Sequence, residues 1–281
     1  MQTQPKISIV IPSFNQGAFI EETIQSVVLQ GYPNLELIII DGGSTDNSVE
    51  IIKKYETNIH YWISEKDNGQ AHAINKGLKI ATGELHSFLN SDDLLLPNVL
   101  FKMAKAYQKD KKQIITGNWF EGNDLKSAIC REVTQPLTLE NLILNIGLFG
   151  QPGTFWSATK KPMLLNESYH YCLDFELFYR LFTHQYEVTL IEKPVALFRQ
   201  HAKAKTATLQ ILKHKEIVIF LENNINYHTN ISAQMLKLKE RNKRTLYRLE
   251  LMETLQKQPL KLIAKVWEAL KYDPRVFIKG I

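Results

Sequence analysis

Hydrophobic residues come in short runs separated by polar turns over the first two hundred positions, and spread into long helical periods after that. Residues 6–12, KISIVIP, are rich in Ile and Val between polar flanks, the pattern of a central parallel strand covered on both faces. Over 18–30, Phe19, Ile20, Thr23, Ile24, Val27 and Val28 recur at helical spacing. Residues 35–40 read as a second strand, 47–55 as a helix, 59–64 as a third strand and 71–80 as a helix. A fourth strand, 85–89, is interrupted by His86 and Ser87; a helix opens at Pro97 and covers 98–109, and 113–119 is again a strand. Residues 120–138 show no readable pattern. Beyond them 173–182 is an amphipathic helix, and 187–191 and 195–198 are two strands. From about 209 the pattern is helical only, over 209–220, 233–255 and 260–270.

Strand, glycine-bearing turn and helix in repetition is the βαβ rhythm of an open parallel sheet. Such sheets bind ligands outside the carboxyl ends of their strands, where Asn15, Asp41, Asp92 and Asp93 all fall. The adjacent carboxylates in LNSDDLLLP repel each other at the end of a buried strand, so a cation or donor groups must compensate them. Hard oxygen ligands of this kind suit Mg²⁺ or Mn²⁺ carrying a substrate's phosphates; a helix cap is the plainer use of Ser91 or Asp92. His72, Asn75 and Lys76 share one helical face, a ligand-facing surface or a solvated one. Gln151–Trp156, QPGTFW, can bring backbone close to a ligand, and its aromatics suit either sugar stacking or the core. Asp174 and Glu176 stand in the first turn of their helix, where the dipole favours a carboxylate. His201 lies in a basic loop and becomes a ligand only beside a metal.

Composition narrows this picture. With 281 residues, 44% hydrophobic and 22% charged, the chain reads as an ordinary globular protein of one large domain, or a medium domain with an appendage. Neither a secretory leader nor an apolar run long enough to span a membrane is legible. Cys130 and Cys172 have no CxxC partner and read as bystander thiols in a reducing cytoplasm. The net charge of +5 hides an asymmetry, because residues 201–281 hold 16 Lys and Arg against 7 Asp and Glu. That leaves −4 for residues 1–200 and a basic tail suited to an anionic partner. Trp267, Tyr272 and Phe277 lie among the tail's Lys and Arg. This pairing fits an interfacial membrane segment or the polar face of a packed helical hairpin.

PSFNQG, DGGSTDNS, SEKDNGQAHAINKG, LNSDD, QPGTFW, LDFELFYRL and RQHAKAKT, in this order over residues 5–206, resemble the family 2 glycosyltransferases of bacterial surface-polysaccharide synthesis. The resemblance implies an α/β, nucleotide-diphospho-sugar transferase (GT-A-type) fold: a mixed, mostly parallel sheet flanked by helices. The catalytic domain would cover 1–206, with a basic helical extension over 207–281. It implies a nucleotide-sugar donor (a UDP-sugar is favoured), a saccharide or lipid-linked saccharide acceptor, Mn²⁺ or Mg²⁺, and inversion at the anomeric carbon. By motif match, Pro12, Ser13, Phe14, Asn15, Asp41, Asp67, Gly69, Asn75, Lys76 and Asp92 face the nucleotide. Asp41 takes a hydrogen bond from the base, which suits uracil or guanine N–H donors. Asp93, ahead of Asp92, and His201 match the metal site; Lys203 and Lys205 match phosphate contacts. Asp174 matches the catalytic base, and Gln151, Gly153, Trp156 and Glu176 fall on the acceptor or sugar side. Asn90 and Ala204 replace an Asp and a small hydroxyl residue usual in the family, and His72 replaces an Asp. The expected location is cytoplasmic, with an anionic membrane surface as a partner of the tail.

The rival classes differ in their signatures. A nucleotidyltransferase would carry a Gly-rich, Arg/Lys-containing loop after the first strand, which PSFNQG lacks. A dinucleotide oxidoreductase would show GxGxxG after a strand, and none occurs. A non-catalytic nucleotide- or sugar-binding module on the same scaffold is the other alternative, and Asp174 with the intact Asp92/Asp93 pair argues against it.

Overall fold

The computed structural model describes residues 4–257 and residue 271. The helix read over 260–270, with Trp267, Tyr272 and Phe277, lies outside the described residues. The chain divides between His201 and Ala202 into two compact units.

The first unit begins with three strand-helix repeats. They are β1 (Ile7–Ser13) and α1 (Ile20–Val28), β2 (Leu35–Asp41) and α2 (Ser48–Lys54), then β3 (Tyr61–Ser64) and α3 (Gln70–Ile80). Next come β4 (Leu85–Phe88), β5 (Leu94–Leu95), α4 (Val99–Ala106), β6 (Gln113–Gly122), β7 (Ile129–Arg131) and α5 (Leu139–Leu144). The unit closes with β8 (Phe155–Ser157), α6 (Leu173–Thr183) and β9 (Glu187–Arg199). The described strands join one nine-stranded sheet in the order β3-β2-β1-β4-β8-β6-β9-β5, with β7 on β6. Strands β1 to β4 pair in parallel, β8 runs against both β4 and β6, and β9 is parallel to β6. The carboxyl ends of β1, β2, β4 and β9 therefore share one sheet edge.

Ile7, Ile9 and Ile11 of β1 with Leu37 and Ile39 of β2 bury one sheet face against Ile20, Ile24 and Val27 of α1. On α3, a Cβ at Gly77 would lie 2.4 Å from Val10, so glycine is what lets that helix approach β1.

The expected elements appear with shifted ends, and two readings are corrected. Residues 187–191 and 195–198 are a single strand, β9, rather than two. Its register against β6 slips at Gly117–Trp119, so Pro194 sits at a bulge where no ladder N–H is required, and the Asn118 side chain bonds Glu192 O at 2.7 Å. The segment before Pro97 contains β5, two residues too short to register as a pattern. The unreadable 120–138 stretch holds the outer hairpin strand β7, where Cys130 is exposed.

At the opposite edge of the sheet, Glu36 is fully buried and accepts from Lys6, Ser8 and Thr82. Burial raises its carboxyl, but these donors outweigh that and hold it down to about 2. His86 is level with Ser8 across the sheet and buried against Trp156. Burial pushes its imidazole down to about 4, against the opposing pull of Glu36 and the Gly83 backbone. A histidine kept neutral in the folded state binds its proton more tightly once unfolded, so stability should fall as pH drops from 6.5 toward 4. The full loss is about 3 kcal/mol. Thermal melts of His86→Phe across this window should lose that slope; equal slopes in both proteins would refute the reading.

The second unit contains a short turn, α7 (Lys205–Thr208), followed by α8 (Gln210–Asn224) and α9 (Ser232–Lys257). These two longer helices pack on each other through His214 to Asn242 at 2.7 Å and through Lys243 to Glu222 at 2.9 Å.

Candidate active site

The loops leaving β1 and β2 are fastened to each other at the shared edge. Asn15 adopts φ 53°, donates its N–H to Ser44 Oγ at 2.7 Å and accepts the Thr45 N–H on Oδ1 at 2.8 Å. Asp41 pairs with Ser13 on one side and Ser64 on the other. It is fully buried and accepts from Gly43 N (3.1 Å), Ser44 N (2.8 Å), Ser44 Oγ (2.5 Å) and Ser64 Oγ (2.7 Å). Four donors use about all of a carboxylate's acceptor sites. A nucleobase N–H reaches Asp41 only by displacing a serine hydroxyl. A Cβ at Gly42 would lie 2.7 Å from Asp67 Oδ2, so glycine lets Asp67 cover this turn while its Oδ1 accepts the Gly69 N–H. Pro12 and Ser13 are buried in β1, the Ser13 hydroxyl has no hydrogen-bond partner among the described residues, and Phe14 is 59% exposed just beyond it.

The acidic pair stands on the same edge, and its two members differ in burial. Asp93 is completely buried, with Oδ1 accepting the Arg199 N–H at 2.9 Å and Oδ2 the Asn90 amide at 3.0 Å. Burial first, and the charge of Asp92 second, push its carboxyl well above the ordinary range, against the pull of Arg199 and Asn90. Asp92 keeps 21% of its side chain exposed, and its Oδ2 lies 3.0 Å from His201 Nε2. Antiparallel pairing of β5 with β9 brings these residues, 109 positions apart, together. Of the two, Asp92 is the partly exposed carboxylate, and Asp93 is buried and bonded to the end of β9.

Neighbouring ligands of an octahedral Mg²⁺ or Mn²⁺ stand about 3 Å apart, so Asp92 and His201 fit two positions of one ion. No cluster of three His, Cys, Asp or Glu suited to a metal occurs among the described residues. Such ions are commonly completed by water and substrate phosphate. Behind the pair runs an amide relay: Gln70 donates to Asn90 Oδ1 at 2.7 Å, Asn90 to Gln151 Oε1 at 3.2 Å, and Gln151 to Phe88 O at 2.7 Å. Asn90, which replaces the family's Asp, is the hub of this relay. It can donate and accept at once, as a carboxylate cannot.

Several residues expected at the ligand also hold contacts within the protein. Asn75 is buried and holds residue 165 through both backbone groups, with Glu167 as a further partner. Lys76 is paired with Glu65 at 2.6 Å. Glu176 is buried in a two-pronged bond with Arg180, at 2.7 and 2.9 Å. Trp156 is core between His86 and Phe88. Gly153, at φ 79°, supports a turn packed on Val195. His72 accepts from Asn68 N–H at 3.4 Å. Spacing could have flagged Glu176, four residues before Arg180, and Trp156 in its buried strand; the contacts of Asn75, Lys76 and Gly153 join positions eleven or more residues apart and leave no local trace.

Asp174 opens α6 half-buried, with Oδ1 accepting the Phe175 N–H at 2.8 Å. Arg180 bonds Leu164 O at 2.6 Å and Asn75 holds Leu165, so α6 and α3 are tied through one loop. Lys203 and Lys205 are exposed in the second unit.

The glycosyl transferase family 2 profile matches residues 8–163, more than half of the chain. The chain belongs to this family. The glycosyltransferase GlyG of Streptococcus pneumoniae serotype 4 is 32% identical over 163 residues, 57% of this chain and 54% of GlyG. The chain spans about half the length of the curated relatives it matches. TarS residues 1–349 of S. aureus, in complex with UDP-GlcNAc, share the fold with a TM-score of 0.63 at 15% identity, covering 96% of this chain and 82% of TarS. The mannosyltransferase PcManGT of Pyrobaculum calidifontis, in complex with GDP-Man and Mn²⁺, shares it with a TM-score of 0.64 at 15% identity, covering 97% and 82%. The fold is that of the nucleotide-diphospho-sugar transferases.

Proposed function

We propose that this chain is an inverting glycosyltransferase that moves one sugar from a nucleotide-diphosphate donor, a UDP-sugar before others, to a polysaccharide or lipid-linked oligosaccharide. The observation that carries the reading is the partly exposed Asp92–His201 pair on the sheet edge that also carries Ser13, Phe14 and the Asp41–Asp67 turn. A phosphate-bridging cation and a nucleoside need such neighbours. Mn²⁺ or Mg²⁺ held there would neutralise charge on the diphosphate as it leaves. Phe14 offers a flat apolar face to the base, and the unpaired Ser13 hydroxyl offers a donor. Asp174 is assigned the base: it takes the proton of the acceptor hydroxyl as that oxygen attacks the anomeric carbon and the bond to the diphosphate breaks.

Calorimetric titration of UDP and GDP, with Mn²⁺ and again with EDTA, tests the reading. Tight binding of one nucleotide only in the presence of the ion is expected. Binding that ignores EDTA would remove the metal bridge.

The acceptor is assigned to an anionic membrane surface on account of α9. Lys237, Arg241, Arg244 and Arg248 are exposed at spacings of four, three and four, which aligns them along about 16 Å of one helical face. No helix of the described residues is long and apolar enough to cross a membrane. Sedimentation with vesicles rich in anionic lipid should fall severalfold in a Lys237→Glu, Arg241→Glu variant and in high salt. Equal sedimentation of both proteins would point to a packed polar face.

A further inference from the structure

We propose that one face of α1, built from Phe19, Glu22 and Thr23, is the scaffold that holds Asp92 and His201 in register; this rests on the metal reading of that pair. The two residues reach the site on separate loops, one after β4 and one after β9. Neither loop continues a strand ladder where the ligand stands. Two side chains on independently wandering loops would lose rotational freedom on meeting an ion, which weakens binding.

α1 reaches both loops from one side. Thr23 Oγ1 is buried and lies 2.9 Å from both Ser91 O and Asp93 O, so one hydroxyl clasps the backbone on either side of Asp92. Further along the same face, Ser26 Oγ accepts the Leu95 N–H at 3.1 Å and Gln30 donates to Leu96 O at 2.8 Å. The other loop is held from the helix start. The Phe19 ring stacks on the His201 imidazole, with centroids 4.4 Å apart and planes 29° apart. The Arg199 guanidinium lies 5.2 Å from the same ring and bonds Glu22 at 2.8 Å, while the Arg199 N–H fixes Asp93. Residues 19, 22 and 23 are one helical turn apart and so share a face. The helix itself is immobilised by Ile20, Ile24 and Val27 in the core.

Phe19 is therefore a positioning residue: it touches His201, and through it sets where Nε2 points. An aromatic face can do this, whereas an aliphatic side chain of similar size fills the space without orienting the ring.

The test is Mn²⁺ binding to the full chain, followed by the paramagnetic resonance of the free ion, for wild type, Phe19→Leu, Phe19→Tyr and Asp92→Asn. Phe19→Leu should bind Mn²⁺ about tenfold more weakly, and Phe19→Tyr should restore wild-type binding. In a donor-turnover assay, Phe19→Leu should raise the Mn²⁺ concentration for half-maximal rate by the same factor, with kcat at saturating Mn²⁺ nearly unchanged. If Phe19→Leu binds Mn²⁺ as wild type does while Asp92→Asn does not, the scaffold is overturned and the metal pair stands. Equal weakening by Leu and Tyr would also overturn it. If wild type binds no Mn²⁺ through Asp92, both readings fall together. Should Phe19→Leu melt at a much lower temperature, Thr23→Val, which removes the hydroxyl and keeps the volume, is read in its place with the same expected loss.

Discussion

Asp92→Ala should lower donor turnover by about a thousandfold and erase the difference between nucleotide binding with Mn²⁺ and with EDTA. The magnitude follows from the work assigned to the ion: neutralising a leaving diphosphate is worth several kcal/mol, and each 1.36 kcal/mol is a factor of ten. Asp92 is the reachable member of the acidic pair, and removing it leaves His201 Nε2 with no carboxylate beside it. The fold should survive, because Asp92 is partly exposed and bonds outside its own loop to His201 alone among the described contacts. Asp93→Ala should behave differently. Its carboxyl accepts from Arg199 N and Asn90, so its loss leaves the buried Arg199 N–H unsatisfied and opens a cavity, which should cost about 2–4 kcal/mol of stability. Melting curves beside Mn²⁺ titrations separate the two effects. An Asp92→Ala protein with intact Mn²⁺-dependent binding would show that the ion sits elsewhere.

Asp174→Asn should reduce transfer by about 10²–10⁴ while leaving nucleotide affinity within twofold, because a general base acts in the chemical step and not in donor binding. The substitution is nearly isosteric, and the amide oxygen can still accept the Phe175 N–H, so α6 should stay in place. Glu176→Gln is the contrasting variant. It weakens the bond with Arg180 and should lower the melting temperature with little change in kcat. Hydrolysis of donor in the absence of acceptor, measured in parallel, distinguishes a lost base from a lost donor site. Comparable transfer by Asp174→Asn would move the base to another side chain.

The two carboxylates on α6 show how far a linear reading reaches. Asp174 and Glu176 look alike in the sequence, both acidic and both in the first turn. What separates them is Arg180: it stands four residues after Glu176, on the same helical face, and binds it. That cue was visible, but its weight was not, since the same spacing on an exposed helix contributes little. Asn75 and Lys76 diverge similarly, one toward residue 165 and the other toward Glu65, because adjacent helical positions point about 100° apart.

Periodicity alone determined the alternation of strands and helices, the buried parallel strands β1 and β2, and the edge at which a ligand would be found. Each of these depends on neighbours a few residues apart, which is the range over which side-chain pattern and backbone geometry constrain one another. The motif order determined the family. The tertiary structure alone decided that β9 is one strand through a bulge, that Asp92 rather than Asp93 faces outward, and that α1 clasps the loops on both sides of the site. These outcomes turn on pairings more than sixty residues apart, β5 with β9 and Thr23 with Ser91. A two-residue strand leaves no periodic trace, and which of two adjacent aspartates is buried depends on which way the chain arrives from across the sheet.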